Sequence, residues 1–288
     1  MFIAAGSSKT PYLSALPELQ KSIGKWRDAG ETVALVPTMG ALHDGHLSLV
    51  RAAKARCDRV VTSIFINPEQ FAPNEDFAVY PRTFEADLEK LATEGCDLVW
   101  APAVDVMYPV GFATRIVPGG AAEGLETDFR PHFFSGVVTV CCKLFTQVLP
   151  DIAIFGEKDY QQLCVIQQMV RDLNLQLEII GVETIRESDG LAMSSRNAYL
   201  SSKERAIAAS MNRVLYNTAD AFRGGACTEQ VCKTATAALK ENGFGPVDYV
   251  EIRRAGTLGL VESFSGTPCR VLGAAWLGKT RLIDNIPC

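Results

Sequence analysis

The stretch that decides the fold is TVALVPTMGALHDGHLSLV, residues 32–50. Its first part, Thr32–Thr38, is an apolar run that predicts a buried β-strand. A turn containing Gly40 follows, and a helix pattern begins near His46. A strand, a glycine turn and a helix in this order are typical of an α/β protein with a parallel sheet.

The same alternation of strand and helix patterns continues along the chain. Apolar runs predict strands at 59–68, 97–102, 151–156 and 177–185, and helix patterns lie at 83–95, 134–149 and 158–175. The run at 134–149 is ambiguous by period alone, but its length favours a buried helix. Strands that are apolar throughout and alternate with helices indicate a parallel sheet covered on both faces.

The pattern changes after residue 185. Residues 186–204 are polar and rich in Ser and Gly, which predicts a loop or linker. Helix patterns follow at 204–222 and 229–242, and strand candidates at 246–253, 268–278 and 279–286. Helices followed by consecutive strands predict a separate α+β domain, so the predicted domains are 1–185 and 186–288.

Composition narrows the class of protein. The 288 residues carry 28 basic and 33 acidic side chains, and a net charge of −5 argues against binding to nucleic acid phosphates. No apolar run approaches the ~18 residues of a membrane-spanning helix. The first ten residues, MFIAAGSSKT, have no basic segment before their apolar run and make a poor signal peptide. The nine cysteines are scattered and form no C-x-x-C pair, which favours a reduced, cytoplasmic protein over a disulfide framework or zinc cluster.

The sharpest candidate site is the H-x-G-H pattern of residues 43–46. At a strand-to-helix junction, free backbone N–H groups and the positive end of the helix are expected to form an anion site at the carboxyl edge of the sheet. His43 and His46 can both donate to one phosphoryl group, and Gly45 allows a close backbone approach. The chain has only three histidines, and two lie here. A zinc pair and a purely structural turn are the alternatives.

Two further segments could contact a phosphate. In FGEKDYQQ, residues 155–162, Lys158 can meet phosphate as a point charge, and Gln162 is expected on the same helix face four residues later. In DGLAMSSRN, residues 189–197, two hydroxyls and an arginine can bind a polyphosphate. The alternatives are a solvated helix start for the first segment and an ordinary Ser-rich loop for the second.

A third segment, NPEQF, places Gln70 in a loop at the carboxyl edge of the sheet. An amide side chain there can bind the hydroxyl or amide of a substrate.

Taken together, PTMGALHDGH, SIFINPEQF, YPRT, FGEKDYQQL, DGLAMSSRNAYL and KTRLIDNI resemble the pantothenate synthetase family, in order and over nearly the whole chain. H-x-G-H alone is typical of the wider nucleotidyl-transfer superfamily, and M-S-S-R resembles its second signature. The resemblance implies ATP-dependent condensation of (R)-pantoate with β-alanine to pantothenate, AMP and pyrophosphate through a pantoyl adenylate. It also implies a Rossmann-like, doubly wound N-terminal domain, a smaller C-terminal α+β lid and a homodimer.

The resemblance also implies roles for individual residues. The catalytic groups would be His46, His43, Lys158 and Arg196. The residues implied to contact ATP are Met39, Gly40, Ala41, Leu42, His43, Asp44, Gly45, His46, Gly156, Glu157, Lys158, Asp159, Ile185, Met193, Ser194, Ser195 and Arg196. Gln70 and Gln162 would bind pantoate, and Gln70 would also lie near β-alanine. Asp87 lies where the family can place an acid near the magnesium–ATP phosphates, although Ala86 stands where a second acid is expected.

One stretch departs from the family pattern. Members commonly read R-P-G-H-F-R-G-V, whereas residues 130–137 read R-P-H-F-F-S-G-V. Because His132 is displaced by one residue and Ser135 replaces the second arginine, His132 is left out of the predicted site and the role of Arg130 is open.

Two other functions are compatible with parts of this pattern. One is another H-x-G-H nucleotidylyltransferase that stops at an adenylated product and needs no amine. The other is a nucleotide-binding or sensor module without catalysis. Analysis of the reaction products would separate these alternatives from a ligase.

Overall fold

The computed structural model describes residues 9–71 and 76–288. Residues 1–8, most of the segment judged a poor signal peptide, lie outside the described residues. The chain forms two units: the first includes residues up to Pro118, Arg130–Gly156 and Val165–Val182, and the second includes Gly119–Phe129, Glu157–Cys164 and Glu183–Cys288. The units therefore interleave along the chain, whereas the predicted domains 1–185 and 186–288 are continuous. That predicted boundary stays a prediction.

The first unit is built on a six-stranded sheet. Its strands are β1 Tyr12–Leu13, β2 Val33–Thr38, β3 Arg59–Ile64, β4 Leu98–Trp100, β5 Ile152–Gly156 and β6 Glu178–Val182. The helices up to residue 182 are α1 Leu16–Asp28, α2 Asp44–Lys54, α3 Phe84–Thr93, α4 Val104–Met107, α5 Glu126–Phe129, α6 Phe133–Val148 and α7 Tyr160–Asp172. Short 3-10 helices lie at Pro68–Gln70, Asp76–Ala78, Gly120–Ala122 and Glu157–Asp159.

All neighbouring strands of this sheet are parallel, in the order β1-β4-β3-β2-β5-β6. From the centre, the chain runs outward through β3 and β4 on one side and through β6 on the other, so the order reverses between β2 and β5. In open parallel sheets, ligands bind in the crevice beyond the carboxyl ends of the strands at such a reversal. The predicted ATP contacts Met39 and Gly156 lie at these two strand ends.

Helices cover both faces of the sheet. On one face Ala34 and Val36 of β2 belong to a core cluster with residues of α2 and α3. On the other face Trp100 donates from Nε1 to Gln147 Oε1 of α6 at 3.0 Å. Helix α1 packs against α6 on that second face. The predicted Rossmann-like, doubly wound parallel sheet is therefore confirmed.

The second unit carries a three-stranded antiparallel sheet, β7 Val247–Arg254, β8 Cys269–Leu277 and β9 Thr280–Pro287. Its helices after residue 183 are α8 Ser202–Ala208, α9 Ser210–Arg223 and α10 Thr228–Glu241. Leu215, Phe222 and Leu239 from the helices share one core with Ile252 and Val271 from the strands. The predicted smaller α+β region is confirmed.

Details differ from the sequence-based prediction in the second unit. The single helix predicted at 204–222 is two helices that meet at Ala209. The predicted loop 186–204 contains a 3-10 helix at Ser195–Tyr199, and α8 begins within it because Ser201 and Glu204 form a reciprocal capping box. In the described part of the chain, no helix has the length and apolar character needed to cross a membrane.

Candidate active site

The H-x-G-H motif lies on the turn between β2 and α2, where Gly40 and Ala41 have φ values of 82° and 52°. The N–H of Gly40 donates to Thr38 Oγ1 at 3.2 Å. The N–H groups of Ala41 and Leu42 donate to Oδ2 and Oδ1 of Asp87, each at 2.9 Å. The N–H of His43 donates to His46 Nδ1 at 3.4 Å. The prediction that this turn offers free N–H groups to an anion is therefore wrong for residues 40–43.

Asp87 on α3 holds this turn. It is 0% exposed, and Thr83 Oγ1 donates to both of its carboxylate oxygens at 3.1 Å. Asp87 has no exposed surface, and its oxygens accept two backbone N–H groups and the Thr83 hydroxyl, so the carboxylate does not fit the predicted role of magnesium ligand. Asp87 instead fixes the backbone of the motif. Within the described residues there is no cluster of three or more His, Cys, Asp or Glu side chains able to hold a metal ion.

The two motif histidines lie side by side. Their ring centroids are 4.1 Å apart and their planes are tilted by 47°. Because His46 Nδ1 accepts the His43 N–H, a neutral His46 carries its proton on Nε2. That nitrogen is then the donor that His46 can turn to a ligand at the start of α2. Two other predicted ATP contacts have side chains engaged elsewhere: Leu42 is in the core, and Asp44 pairs with Arg51.

A cavity of about 320 Å³ opens beside this turn, near the carboxyl ends of β2, β3 and β4. Its lining comes from residues 39–41, 64–66, 77, 81–84, 87 and 102–104. The volume is at the lower end of the range for small-molecule pockets, and the lining is mainly apolar. Met39, Gly40, Ala41 and Asp87 are the predicted site residues that line it.

Gln70 is buried in a 3-10 helix and its amide has a fixed orientation. Asn67 Nδ2 donates to Gln70 Oε1 at 3.0 Å and to the carbonyl of Gly136 at 3.1 Å. Asn67 Oδ1 accepts from the Glu69 N–H at 3.3 Å and from the Tyr108 hydroxyl at 2.8 Å. Backbone groups have only one role each, so they settle which end of Asn67 is the amide nitrogen. Gln70 must therefore turn its oxygen to Asn67, which leaves Nε2 to donate to a ligand.

Asn67 is a site residue that sequence reasoning missed. Burial raises the pKa of Tyr108, so its hydroxyl remains a proton donor to Asn67. The sequence signal for Asn67 was its place directly before Pro68, because Asn is favoured at a helix N-cap and Pro at the first helical position. The side chain of Asn67 caps the 3-10 helix that carries Gln70.

The stretch that departs from the family pattern supports the same element. Arg130 Nη2 donates to the carbonyl of Gln70 at 3.1 Å, and its guanidinium lies 3.8 Å from the ring centroid of Phe133. Arg130 thus holds the backbone of Gln70, whereas His132 is exposed. Gly136 allows α6 to approach closely, because a Cβ there would lie 2.2 Å from the carbonyl oxygen of Glu69.

In the second unit, Glu157–Asp159 form a 3-10 helix and α7 begins only at Tyr160. Lys158 therefore precedes the α-helix instead of opening it, and that it shares a face with Gln162 stays a prediction. The Lys158 side chain is 20% exposed, and its Nζ lies 3.8 Å from Asp159 Oδ2. Gln162 is half-buried.

Gln161, next to Gln162, is the buried member of the pair. Its Nε2 donates to the carbonyls of Ala121 and Gly124, and its Oε1 accepts the N–H of Glu126 at 3.0 Å. These bonds fix the first turn of α7 and therefore the position from which Gln162 extends.

The remaining predicted ATP contacts lie in a structured segment of the second unit. The N–H of Met193 donates to the carbonyl of Ile185 at 3.0 Å, which closes a short antiparallel turn. Ser194 caps the following 3-10 helix by accepting the Arg196 N–H at 3.3 Å. Ser195 is the first residue of that helix, and the side chains of Ser194, Ser195 and Arg196 are half-buried.

Comparison with known proteins gives one family. The model of the family described as pantoate-beta-alanine ligase matches residues 12–287. Pantothenate synthetase 2 of Bradyrhizobium diazoefficiens is 56% identical over 281 residues, covering 97% of this chain and 99% of that protein. The crystal structure of pantothenate synthetase from Thermus thermophilus has a TM-score of 0.89 and 42% identity, covering 96% of this chain and 99% of that one.

A third relative was solved with ligands. The pantoate-beta-alanine ligase of Francisella tularensis, complexed with beta-gamma ATP and β-alanine, has a TM-score of 0.81 and 32% identity. The alignment covers 96% of this chain and 97% of that one.

Proposed function

The chain belongs to the pantoate–β-alanine ligase family, and from this premise we propose how its residues carry out the reaction. The protein is an enzyme that condenses pantoate with β-alanine at the expense of ATP. Its resemblance to pantothenate synthetases, first noted in the motifs, is confirmed over nearly the full chain.

The proposed reaction has two steps. The carboxylate of pantoate attacks the α-phosphorus of ATP, a new P–O bond forms, and pyrophosphate leaves. The amine of β-alanine then attacks the acyl carbon of the pantoyl adenylate and expels AMP, and the amine loses a proton as the amide forms. Neither step needs a covalent protein nucleophile. The protein contributes positioning and stabilisation of negative charge, as is usual for chemistry at phosphorus.

His46 and His43 are proposed to stabilise charge on the phosphates. The observation behind this proposal is that the two imidazole rings lie side by side at the start of α2, where a neutral His46 carries its proton on Nε2. A helix start also provides a favourable field for an anion. Because the N–H groups of residues 40–43 are used within the protein, the imidazoles take a larger share of phosphate binding than the turn itself.

Lys158 and Arg196 are proposed to neutralise charge on the leaving pyrophosphate. Lysine acts as a point charge and arginine as a planar two-donor group, and both suit phosphate oxygens. Supporting this, each lies on a short 3-10 helix whose backbone is held by side chains or by a capping serine. The ATP contacts at Gly156–Asp159, Ile185 and Met193–Arg196 belong to this proposal.

Gln70 is proposed to donate from Nε2 to a carboxylate or hydroxyl oxygen of pantoate, and Gln162 to complete pantoate binding. The fixed orientation of the Gln70 amide supports the first role. A place for Gln70 near β-alanine stays part of the same proposal.

Magnesium is proposed to enter as part of the ATP complex. Asp87 does not fit as its ligand, because it has no exposed surface and its oxygens accept the N–H groups of Ala41 and Leu42 and the Thr83 hydroxyl. The proposed steps of the protein therefore involve only its own donors and cations. A homodimer and a cytoplasmic location are further proposals, which rest on the resemblance to the family and on the cysteine content.

Pyrophosphate exchange tests the proposed mechanism. With ATP, magnesium and pantoate but no β-alanine, we expect labelled pyrophosphate to enter ATP, because adenylate formation is reversible. His46→Ala and Lys158→Ala should each lower this exchange by about 10²–10³ in rate. Mass spectrometry should find pantothenate only after β-alanine is added. Exchange that requires β-alanine would refute a free adenylate, and normal exchange in the Lys158 variant would refute the role of that lysine.

A further inference from the structure

Two adjacent residues of β9, Asp284 and Asn285, are buried although both are polar. Their exposed fractions are 5% and 3%. They belong to the KTRLIDNI segment, residues 279–286. Both side chains bond to segments of the second unit that carry predicted ATP contacts.

Asn285 holds the segment that carries Lys158. Its Nδ2 donates to the carbonyl oxygens of Glu157 and Lys158, both at 2.9 Å. Its Oδ1 accepts from Arg270 Nη1 at 2.6 Å. Carbonyls only accept and a guanidinium only donates, so the orientation of this amide is determined. The Nδ2 group of Asn285 therefore fixes one short backbone segment, and its oxygen is held by Arg270.

Arg270 strengthens the same attachment. Its Nη2 donates to Glu157 Oε2 at 2.8 Å, and its guanidinium lies 3.9 Å from the ring centroid of Tyr160. The Tyr160 hydroxyl in turn accepts the N–H of Gly256 at 3.1 Å. The backbone before and after Lys158 is thus held to β8 and β9, while the Lys158 side chain extends from a fixed base.

Asp284 holds the other segment. Its two carboxylate oxygens accept from Arg186 Nη1 and Nη2 at 2.7 and 2.9 Å. Arg186 Nη1 also donates to the carbonyl of Gly190, and Nη2 to the carbonyl of Asn285. The turn at 186–190 leads directly into Met193 and the M-S-S-R segment. Neighbouring residues of one strand therefore hold both predicted nucleotide-binding segments of the second unit.

We propose that Asp284 and Asn285 are positioning residues for adenylate formation, which set the backbone of Lys158 and of the Met193–Arg196 segment in register with each other. The inference rests on the proposed function, because it needs Lys158 and Arg196 to act on the phosphates. Neither Asp284 nor Asn285 touches substrate in this assignment. They act through the segments that they hold, and a misplacement of about 1 Å in such a segment can cost about 100-fold in rate.

Asn285→Asp is the most direct test. The aspartate keeps the shape and the oxygen that accepts from Arg270, but it replaces the donating nitrogen with an oxygen facing two carbonyls. We expect kcat for pyrophosphate exchange to fall about 10- to 100-fold, with little change in KM for ATP or pantoate. A purely structural loss would instead lower the fraction of folded protein and leave the kcat of the folded fraction unchanged.

Ile286→Val is the matched control. Ile286 follows Asn285 on β9 and is buried in the core of the second unit, where its apolar side chain can form no hydrogen bond to the Lys158 segment. This variant should lower the unfolding temperature slightly and keep the kcat of exchange. If Ile286→Val loses exchange as Asn285→Asp does, the effect is general loosening of β9 and the positioning role is refuted.

A double variant separates this inference from the proposed function. If Asn285 acts through Lys158, then Lys158→Ala combined with Asn285→Asp should lose no more exchange than Lys158→Ala alone. Multiplied losses would overturn the positioning role. Normal exchange in Lys158→Ala would instead refute the proposed role of the lysine, and the inference with it. Loss in Lys158→Ala with normal exchange in Asn285→Asp would refute the inference alone.

Asp284→Asn provides a second route if Asn285→Asp does not fold. The neutral amide keeps the shape but gives up one of the two acceptors that bind Arg186. We expect lower kcat for exchange, and no further loss when this change is combined with Arg196→Ala. Wild-type exchange in Asp284→Asn would overturn the role of Asp284.

Discussion

The turn after β2 and the segment around Lys158 are held in opposite ways. In the first unit, the N–H groups of Ala41 and Leu42 donate to the buried carboxylate of Asp87. In the second unit, the carbonyls of Glu157 and Lys158 accept from the neutral amide of Asn285. A buried charge is costly unless hydrogen bonds compensate it, so the turn and Asp87 depend on each other for stability. Asn285 carries no charge, so its burial costs less free energy, and we expect its hydrogen bonds mainly to position the segment around Lys158.

The largest expected effect is that of Asp87→Ala. It removes the acceptor of the buried Leu42 N–H and of the half-buried Ala41 N–H, and at about 1–3 kcal/mol for each we expect a loss of about 2–6 kcal/mol in the free energy of unfolding. Asp87→Asn keeps one acceptor and should lose about half as much. Denaturant titration measures both, with Glu89→Gln, an exposed carboxylate on the same helix, as the control. If Asp87→Ala were as stable as the wild type, the turn would not depend on the buried carboxylate, and the contrast with Asn285 would be refuted.

Gly136→Ala tests an element that is held by close packing. The new Cβ would lie 2.2 Å from the carbonyl oxygen of Glu69, so α6 or the 3-10 helix carrying Gln70 must shift. We expect a loss of about 1–3 kcal/mol in the free energy of unfolding and a higher KM for pantoate.

The matched control for Gly136→Ala is Gly24→Ala in α1, where a Cβ meets nothing within 4 Å. That change should stabilise the protein by about 0.5–1 kcal/mol, because alanine favours the helix interior over glycine. If the two variants unfolded at the same temperature, the close contact at Gly136 would be relieved without a loss of stability.

Asn67→Asp tests whether the chemistry of the supporting side chain, a neutral amide or a carboxylate, matters more than the unit in which it lies. Asn67, like Asn285, is a buried neutral amide, and the change places an oxygen against Gln70 Oε1. Gln70 is then expected to reverse its amide and lose the donor for pantoate. KM for pantoate should rise roughly 5- to 30-fold, which corresponds to a loss of roughly 1–2 kcal/mol in binding free energy, with ATP affinity retained. A loss of ATP affinity with unchanged pantoate binding would contradict the placement of Gln70.

The smallest effect is expected for Asp189, whose exposed carboxylate pairs with Arg205. Its hydrogen-bonded pair with Arg205 lowers the pKa of the Asp189 carboxyl below its usual value of 3.8. A lowered pKa means that the stabilisation is present above about pH 4 and is lost as the pH falls through the folded-state pKa. Solvent screening limits the pair to less than about 1 kcal/mol.

Asp189→Asn should therefore unfold at a slightly lower denaturant concentration than the wild type at pH 7. The difference should vanish in acid below the lowered pKa. A difference that persists or grows in acid would show that the charge of Asp189 is not its source. A loss as large as that of Asp87→Ala at neutral pH would show that charge, and not burial, sets the size of the effect.

The parts of the fold that sequence predicted are those with long, regular apolar patterns. The strands β2, β3 and β5 and the helix α6 are buried over most of their surface, so their apolar runs reveal them, and the length of the run distinguishes α6 from a strand. Helix α1 was missed because only Leu19 and Ile23 are buried along it. The break at Ala209 was missed because the apolar spacing continues through it without a proline or glycine.

The chemistry of the site was predictable by motif, but its supports were not. The motifs point to His43, His46, Lys158 and Arg196 from local sequence, whereas the side chains that support their segments, Asp87, Asn285 and Asp284, lie in distant parts of the chain. Asp87 lies on an amphipathic helix where an acid is normally exposed, and its 0% exposure depends on a turn 46 residues earlier. In the same way, nothing in the alternation of β9 indicates that two successive polar residues are both buried.

The one-way amide of Gln70 has a consequence for inhibitor chemistry. Because Gln70 turns its oxygen to Asn67, a ligand group that meets the Nε2 end must present a lone pair, and an ammonium or amide N–H there would face a donor. If Gln70 binds pantoate as proposed, analogues that place a ketone, ether or carboxylate oxygen against Nε2 should compete with pantoate, whereas analogues that place an ammonium there should bind more weakly. A single asparagine, which needs no contact with the ligand itself, would in this way decide the polarity of every effective compound at that end of Gln70.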